Sequence, residues 1–153
     1  MTDTATRPAS NLAIAPAADA DAKDVIALWQ KCDLTRAWND PAADFKRALK
    51  GPDSTVLIGR DGKAIVASVM VGHDGHRGAV YYVSVDPAHR KKGHGRALMT
   101  AAEAWLREHG IEKLNLMVRA GNTHAQAFYE TLDFDEQPRI VYAKWLDGRE
   151  PTP

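Results

Sequence analysis

Apolar residues recur along this chain at two periods, and the changes of period mark its elements. In DAKDVIALWQKC (21–32), Val25, Ile26, Leu28, Trp29 and Cys32 follow i, i+3, i+4, i+7 spacing, which predicts an amphipathic helix. PAADFKRALKG (41–51) predicts a second helix, with Pro41 at its first position and Gly51 after its end. DLTRAWNDP (33–41) is the turn-rich segment between them. Then the period shortens. STVLIGR (54–60) and KAIVASVMVG (63–72) read as strands around the hairpin dipeptide Asp61-Gly62. GHDGHRG (72–78) is a loop, and AVYYVSV (79–85) is a β-rich run closed by Asp86-Pro87. Residues 93–109 return to helical spacing, with Leu98, Ala102, Trp105 and Leu106 on the stripe and Gly110 as the stop. KLNLMVR (113–119) alternates, a helix follows from Asn122 to about Leu132, and RIVYAKWL (139–146) predicts a last strand. NLAIAP (11–16) is a short first strand ended by Pro16. The order is β-α-α-β-β-β-α-β-α-β, which predicts an α/β (α+β) domain with one mixed central β-sheet flanked by helices.

Composition narrows the classes of function. The 153 residues fit one domain with a sizeable core. We expect a disordered leader over 1–10, a single domain over 11–147 and a tail over 148–153. Twenty basic residues balance twenty acidic ones, whereas a dedicated nucleic-acid binder is basic overall. No run of about 18 apolar residues occurs, and the N-terminus lacks the features of a secretory signal. A cytoplasmic protein is the expectation. The one cysteine, Cys32, excludes an internal disulfide and offers no zinc cluster. On its helix face it reads as a small core residue.

Charge is concentrated in VDPAHRKKGHGRAL (85–98), where a strand leads through a glycine-containing loop into a helix. Helix N-termini leave amides unpaired and carry partial positive charge, so they bind anions. Gly93 and Gly95 let a phosphate approach the backbone, and Arg90, Lys91, Lys92 and Arg96 add positive charge. The segment lacks the GxxxxGK[ST] loop and the third glycine of a dinucleotide fingerprint. A diphosphate cradle and a solvated basic turn are the readings that remain. Arg90-x-x-Gly93-x-Gly95 resembles the acetyl-CoA motif of the GNAT (GCN5-related) N-acetyltransferases. Asn122-x-x-Ala125-x-x-Phe128-Tyr129 followed by Leu132-Asp133-Phe134 resembles that family's second motif, with Asp133 where the family has glycine. The resemblance covers about residues 11–146. LWQKCDLTRAWNDP and GHDGHRG are similar to a small bacterial subgroup of it, the YpeA type.

The resemblance implies roles. Backbone amides of Lys91, Lys92, Gly93, His94, Gly95 and Arg96, after Arg90, would bind the pyrophosphate of acetyl-CoA. Val83 and Val85 would offer backbone groups to the pantetheine arm, as an added strand does. Asn122 would lie near the cofactor arm while also capping its helix. Tyr129 would protonate the departing thiolate, a phenol being matched in basicity to a thiol; packing in the core is the other reading of that residue. Asp33, Arg36, Trp38, Asn39 and Asp40, between the first two helices, would line the acceptor pocket, or form a capped, solvated turn.

The base is less determined, because AVYYVSV contains no carboxylate. Candidates are Asp74 and His76, or a water ordered by Tyr81, Tyr82 or Ser84. His73 and His76 equally suit a polar hairpin tip, and their context does not suit a metal, so none is expected. The expected function is transfer of acetyl from acetyl-CoA to a primary amine, of a small molecule, an amino-acid-like acceptor or a protein N-terminus, in a ternary complex without nucleic acid or membrane partners. A non-catalytic acyl-CoA-binding or sensing module is the alternative. The final strand, RIVYAKWL, offers an edge for a homodimer.

Overall fold

The computed structural model describes residues 10–153, so all of the expected leader except Ser10 lies outside the described residues. Ser10 is held: its hydroxyl lies 2.9 Å from His94 Nδ1 and accepts from the Leu12 amide. The chain divides into two compact units, one up to Leu116 and one from Met117.

The first unit contains strands β1 (Ala13–Pro16), β2 (Ser54–Asp61), β3 (Ala64–His73), β4 (Gly78–Val85) and β5 (Leu114–Asn115). Its helices are α1 (Ala22–Lys31), α2 (Pro41–Lys50) and α3 (His94–Glu108). The strands form one sheet in sequence order. Neighbours are antiparallel except β4 and β5, which are joined through α3 and run parallel. This is the mixed, helix-flanked sheet that the periodicity predicts.

Alternation divides the core between the two sheet faces. Val56 and Ile58 pack with Val25 and Trp29 of α1 and Phe45 and Ala48 of α2. The residues of opposite parity, Leu57, Ala67, Val69 and Val71, are buried on the other face. There α3 packs across β2, β3 and β4 with Leu98, Met99, Ala102 and Leu106 buried. Gly78 is required at that contact: a Cβ there would lie 2.5 Å from Leu106 Cδ1. Helix ends follow local chemistry. Asp40 Oδ1 accepts from the Ala42 and Ala43 amides at 3.0 and 3.1 Å, so α2 starts on a side-chain cap with Pro41 behind it.

The second unit contains α4 (Thr123–Thr131). Asn122 caps it by accepting from the Ala125 amide at 3.1 Å, as expected. Trp145 donates to Thr152 Oγ1 at 3.1 Å and lies under the Arg149 guanidinium, so the expected tail folds onto Trp145.

Two expected strands are corrected. The run 113–119 forms a ladder only at Leu114–Asn115, opposite Gly78 and Ala79. RIVYAKWL (139–146) forms no strand; Ile140, Val141, Tyr142 and Leu146 are exposed. Alternating β-branched and aromatic residues favour a strand, but only a hydrogen-bonded neighbour makes one. Residues 139–146 have no ladder partner among the described residues.

Candidate active site

The basic segment folds as a built loop. Asp86 accepts from the Ala88 amide and also pairs with Lys31 Nζ at 3.0 Å. The amide bond, aided by Lys31, holds its carboxyl below the usual range despite the opposing effect of burial. A single 3-10 turn over Pro87–His89 leads into Arg90. Lys91 then takes φ +63° and Gly93 φ +78°, both in the left-handed region. At Gly93 this costs little; at Lys91 it is a strained conformation, of the kind that concentrates at binding sites. Gly93 is the N-cap of the 15-residue α3. It brings no side chain to accept from the first-turn amides, and no acidic residue occupies that turn. The result is a helix N-terminus presented as an anion site, with Arg90, Lys91 and Lys92 before it and Arg96 within it.

His94, expected to offer its backbone amide, turns its side chain into the protein. The imidazole is 2% exposed, with Nδ1 on Ser10 Oγ and Nε2 without a hydrogen-bond partner among the described residues. Burial, helped by nearby Lys92, pulls its pKa down and keeps the ring neutral.

Strand β4 leads into this loop along an open edge. It pairs with β5 only at Gly78 and Ala79. The Asp86 amide donates to Val66 O at 2.8 Å, so ladder alternation turns the Val85 amide and carbonyl away from β3. The Val85 carbonyl accepts from the Cys32 thiol at 3.3 Å. Cys32 is therefore a half-buried neighbour of this edge. Burial pushes its thiol pKa up, and Arg90 opposes the shift.

The pairing of β3 with β4 changes register between Ser68↔Ser84 and Met70↔Tyr81. Two steps on β3 match three on β4, so β4 holds one extra residue, a bulge at Tyr82–Val83. Tyr82 sits there at φ +52°, an outlier for an aromatic residue. Its phenol donates to Asp44 Oδ2 of α2 at 2.7 Å, and its ring stacks on Trp29 at 3.9 Å. Burial, and then the bond to Asp44, push the phenol pKa up. Trp29 is fixed in turn: its indole donates to Ser68 Oγ at 2.9 Å, and Ser68 Oγ lies 2.8 Å from Ser84 Oγ. The sequence marks Tyr82 and Ser84 only as water-ordering candidates and leaves Asp44 unmarked. An acidic residue in the first turn of an amphipathic helix carries no signal of its own.

In the second unit, Tyr129 is half-buried in an aromatic set, with ring centroids 5.0 Å from Phe128 and 5.7 Å from Phe134. Burial raises its pKa, so the phenol keeps its proton at neutral pH. Asp133, in the place of the family's glycine, adopts φ +65°. The Asp133 amide donates to Glu130 O and the Phe134 amide to Tyr129 O, a Schellman closure with aspartate at its left-handed position. The turn is thus kept despite the changed residue.

The expected acceptor residues divide between α1 and α2. Asp33, at φ +56°, closes α1 in the same way: its amide donates to Gln30 O, and that of Leu34 to Trp29 O. Arg36 Nη1 donates to the carbonyls of Asp33 and Thr35 at 2.8 and 2.9 Å. Asp40 caps α2, Asn39 is exposed, and Trp38 is half-buried. In the 72–78 loop, Asp74 Oδ1 accepts from the amides of Arg77 and His76, both at 2.8 Å. Those bonds hold its carboxyl below the usual range, which suits a turn lock better than a base. His76 is exposed at the hairpin tip. No group of three metal-ligating side chains occurs among the described residues. No helix among them is long and apolar enough to cross a membrane.

Comparison with known proteins accords with these features. Residues 22–134 match the Acetyltransferase (GNAT) family. An acetyltransferase of Yersinia enterocolitica is 44% identical over 126 residues, covering 82% of this chain and 89% of that protein. An acetyltransferase of Sodalis glossinidius is 40% identical over 121 residues, covering 79% and 85%. Among solved structures, AAC(6')-Iy in complex with the bisubstrate analog CoA-S-monomethyl-acetylneamine superposes with a TM-score of 0.77 at 17% identity, covering 89% of this chain and 99% of that one. Glucosamine-6-phosphate N-acetyltransferase from Arabidopsis thaliana gives 0.70 at 19%, covering 90% and 100%. At such identities these two speak to the fold alone. The sequence matches carry the assignment: the chain belongs to the GNAT acetyltransferase family and is an acyltransferase.

Proposed function

We propose that the protein transfers the acetyl group of acetyl-CoA directly to a primary amine within a ternary complex. The observation that carries this reading is the uncapped N-terminus of α3 behind the left-handed Gly93, reached from the open edge of β4. Such a loop suits a pyrophosphate, and backbone groups of Val83 and Val85 suit an extended amide-bearing arm. In the reaction the amine nitrogen bonds to the acetyl carbon and the C–S bond breaks. The thiolate takes a proton from the Tyr129 phenol, and the surplus proton of the new ammonium passes to water, from which the phenolate is reprotonated. A phenol supports this role because it is protonated at neutral pH and holds its proton until the leaving group develops charge.

The test is thiol release from acetyl-CoA across a panel of primary amines, alongside equilibrium binding of acetyl-CoA. Amine-dependent release is expected, and Tyr129→Phe should lower kcat about 100-fold while binding acetyl-CoA. Binding without release under any amine would favour the sensing module. Absence of binding at millimolar acetyl-CoA refutes both.

A further inference from the structure

Strand β4 distorts its backbone to place one side chain. Bulging the strand and holding Tyr82 at φ +52° strains the backbone. The arrangement is fixed from two sides. Trp29, fully buried, backs the ring with an interplanar angle of 10°. On the other side the phenol reaches Asp44. The strained residue thus orients one carboxylate of α2, on the face of the sheet that α1 and α2 cover.

Asp44 is half-buried and spends only one oxygen on the protein. Oδ2 accepts from Tyr82, whereas Oδ1 has no hydrogen-bond partner among the described residues. No lysine, arginine or histidine forms an ion pair with it there, although Asp21, Asp33, Asp53, Asp61, Asp86 and Asp147 all have a basic partner within 4 Å. A neutral phenol orients a carboxylate without cancelling its charge. A partly desolvated anion held in this way is complementary to a cation supplied from outside.

We propose that Asp44, oriented by Tyr82, docks a second cationic group on the acceptor, so that the preferred acceptors are diamines or larger polycationic amines. This rests on the transferase reading and deepens it. The attacking nitrogen must be neutral, and a carboxylate against it would favour its protonated form. The charge held by Asp44 is therefore a remote one, and the docked ammonium fixes the distance to the neutral end. Tyr82 is a positioning residue for this contact.

The probes are 1,4-diaminobutane and n-butylamine, which differ by the second charge. Both are titrated calorimetrically into the full chain loaded with CoA, and both are assayed for acetylation with acetyl-CoA. The diamine should bind at least tenfold more tightly than the monoamine and show a correspondingly lower KM. Asp44→Asn should abolish that preference, and Asp44→Glu should restore part of it. Tyr82→Phe should reduce the preference less than Asp44→Asn, with the loss in KM rather than kcat. Thermal unfolding of each variant checks that it is folded. Equal affinity for the two probes in the wild type, or an undiminished preference in Asp44→Asn, overturns the proposal. If no amine of the panel is acetylated but the diamine still binds in an Asp44-dependent way, the docking site stands and the transferase reading fails. If both are acetylated alike, the reverse holds.

Discussion

Replacing Ser68 with alanine tests whether the support beneath the β4 bulge is a directed chain of hydrogen bonds. Trp29, Ser68 and Ser84 are all buried, at 0%, 0% and 2% exposure. Ser84 Oγ donates to Ser68 O at 3.2 Å, so its proton is committed there. The Ser68 proton must then go to Ser84 Oγ, leaving Ser68 Oγ to accept from the Trp29 indole. Ser68→Ala strands the indole N–H in the core, which costs about 1–3 kcal/mol, and removes a hydroxyl–hydroxyl bond worth about 1. The expected loss is about 3 kcal/mol, or a fall in Tm of roughly 6–12 °C for a chain of this size. Ser84→Ala leaves the indole bond in place but removes the acceptor of the Ser68 proton and the donor to Ser68 O, so it should cost about 2–3 kcal/mol. Urea unfolding followed by far-UV circular dichroism measures both. A loss below about 0.5 kcal/mol for either change would refute these bond directions.

Other outcomes follow from the same structure. Asp33 and Asp133 both hold left-handed positions at helix ends, so glycine at either should raise stability by about 0.5–1 kcal/mol and alanine should lower it; opposite signs in thermal melts are the signature, and equal effects would count against it. Gly78→Ala drives a methyl into Leu106 and should cost about 1–3 kcal/mol, with Gly78→Ala/Leu106→Ala less destabilised than the sum of its two single changes. Asp21 and Asp86 have folded-state pKa values below the ordinary 3.8, so their stabilisation is present above that ordinary value and is lost as pH falls below it through the folded-state values. Asp86→Asn should flatten the acid limb of a plot of Tm against pH; an unchanged limb would exclude the Asp86 contribution.

The parts of this protein that the sequence made legible are those with local causes. The amphipathic spacing of 21–32 and 93–109, the Asp61-Gly62 hairpin and the cap at Asn122 each depend on neighbours a few residues away. The basic loop before α3 was legible for the same reason: strand, glycine pair and helix follow one another directly. What was hidden depends on distant partners. RIVYAKWL alternates as a strand does, yet no local pattern records whether a ladder neighbour exists. Asp33 and Asp40 read equally as pocket residues and as helix ends, because an aspartate that closes or caps a helix has the same letter as one that binds an amine; only the fold shows their helix-end contacts. The bulge in AVYYVSV is equally silent, since its extra residue is defined only against β3. For the same reason Asp44 shows no signal until the fold sets it against Tyr82, 38 residues away.

The two fastenings of α3 have a mechanical consequence. Near its C-terminal end Leu106 fills the space over Gly78, and at its N-terminal end His94 is tied to Ser10. Fifteen residues make a strut about 22 Å long, clamped at both ends against the sheet. A strut so clamped does not slide or tilt when an anion arrives. On the proposed reading, the amides at its tip are aimed before the donor arrives, and little ordering entropy would be spent on capture. Donor association should therefore be governed by diffusion and charge, rising as ionic strength falls, and not by the pace of a closing loop.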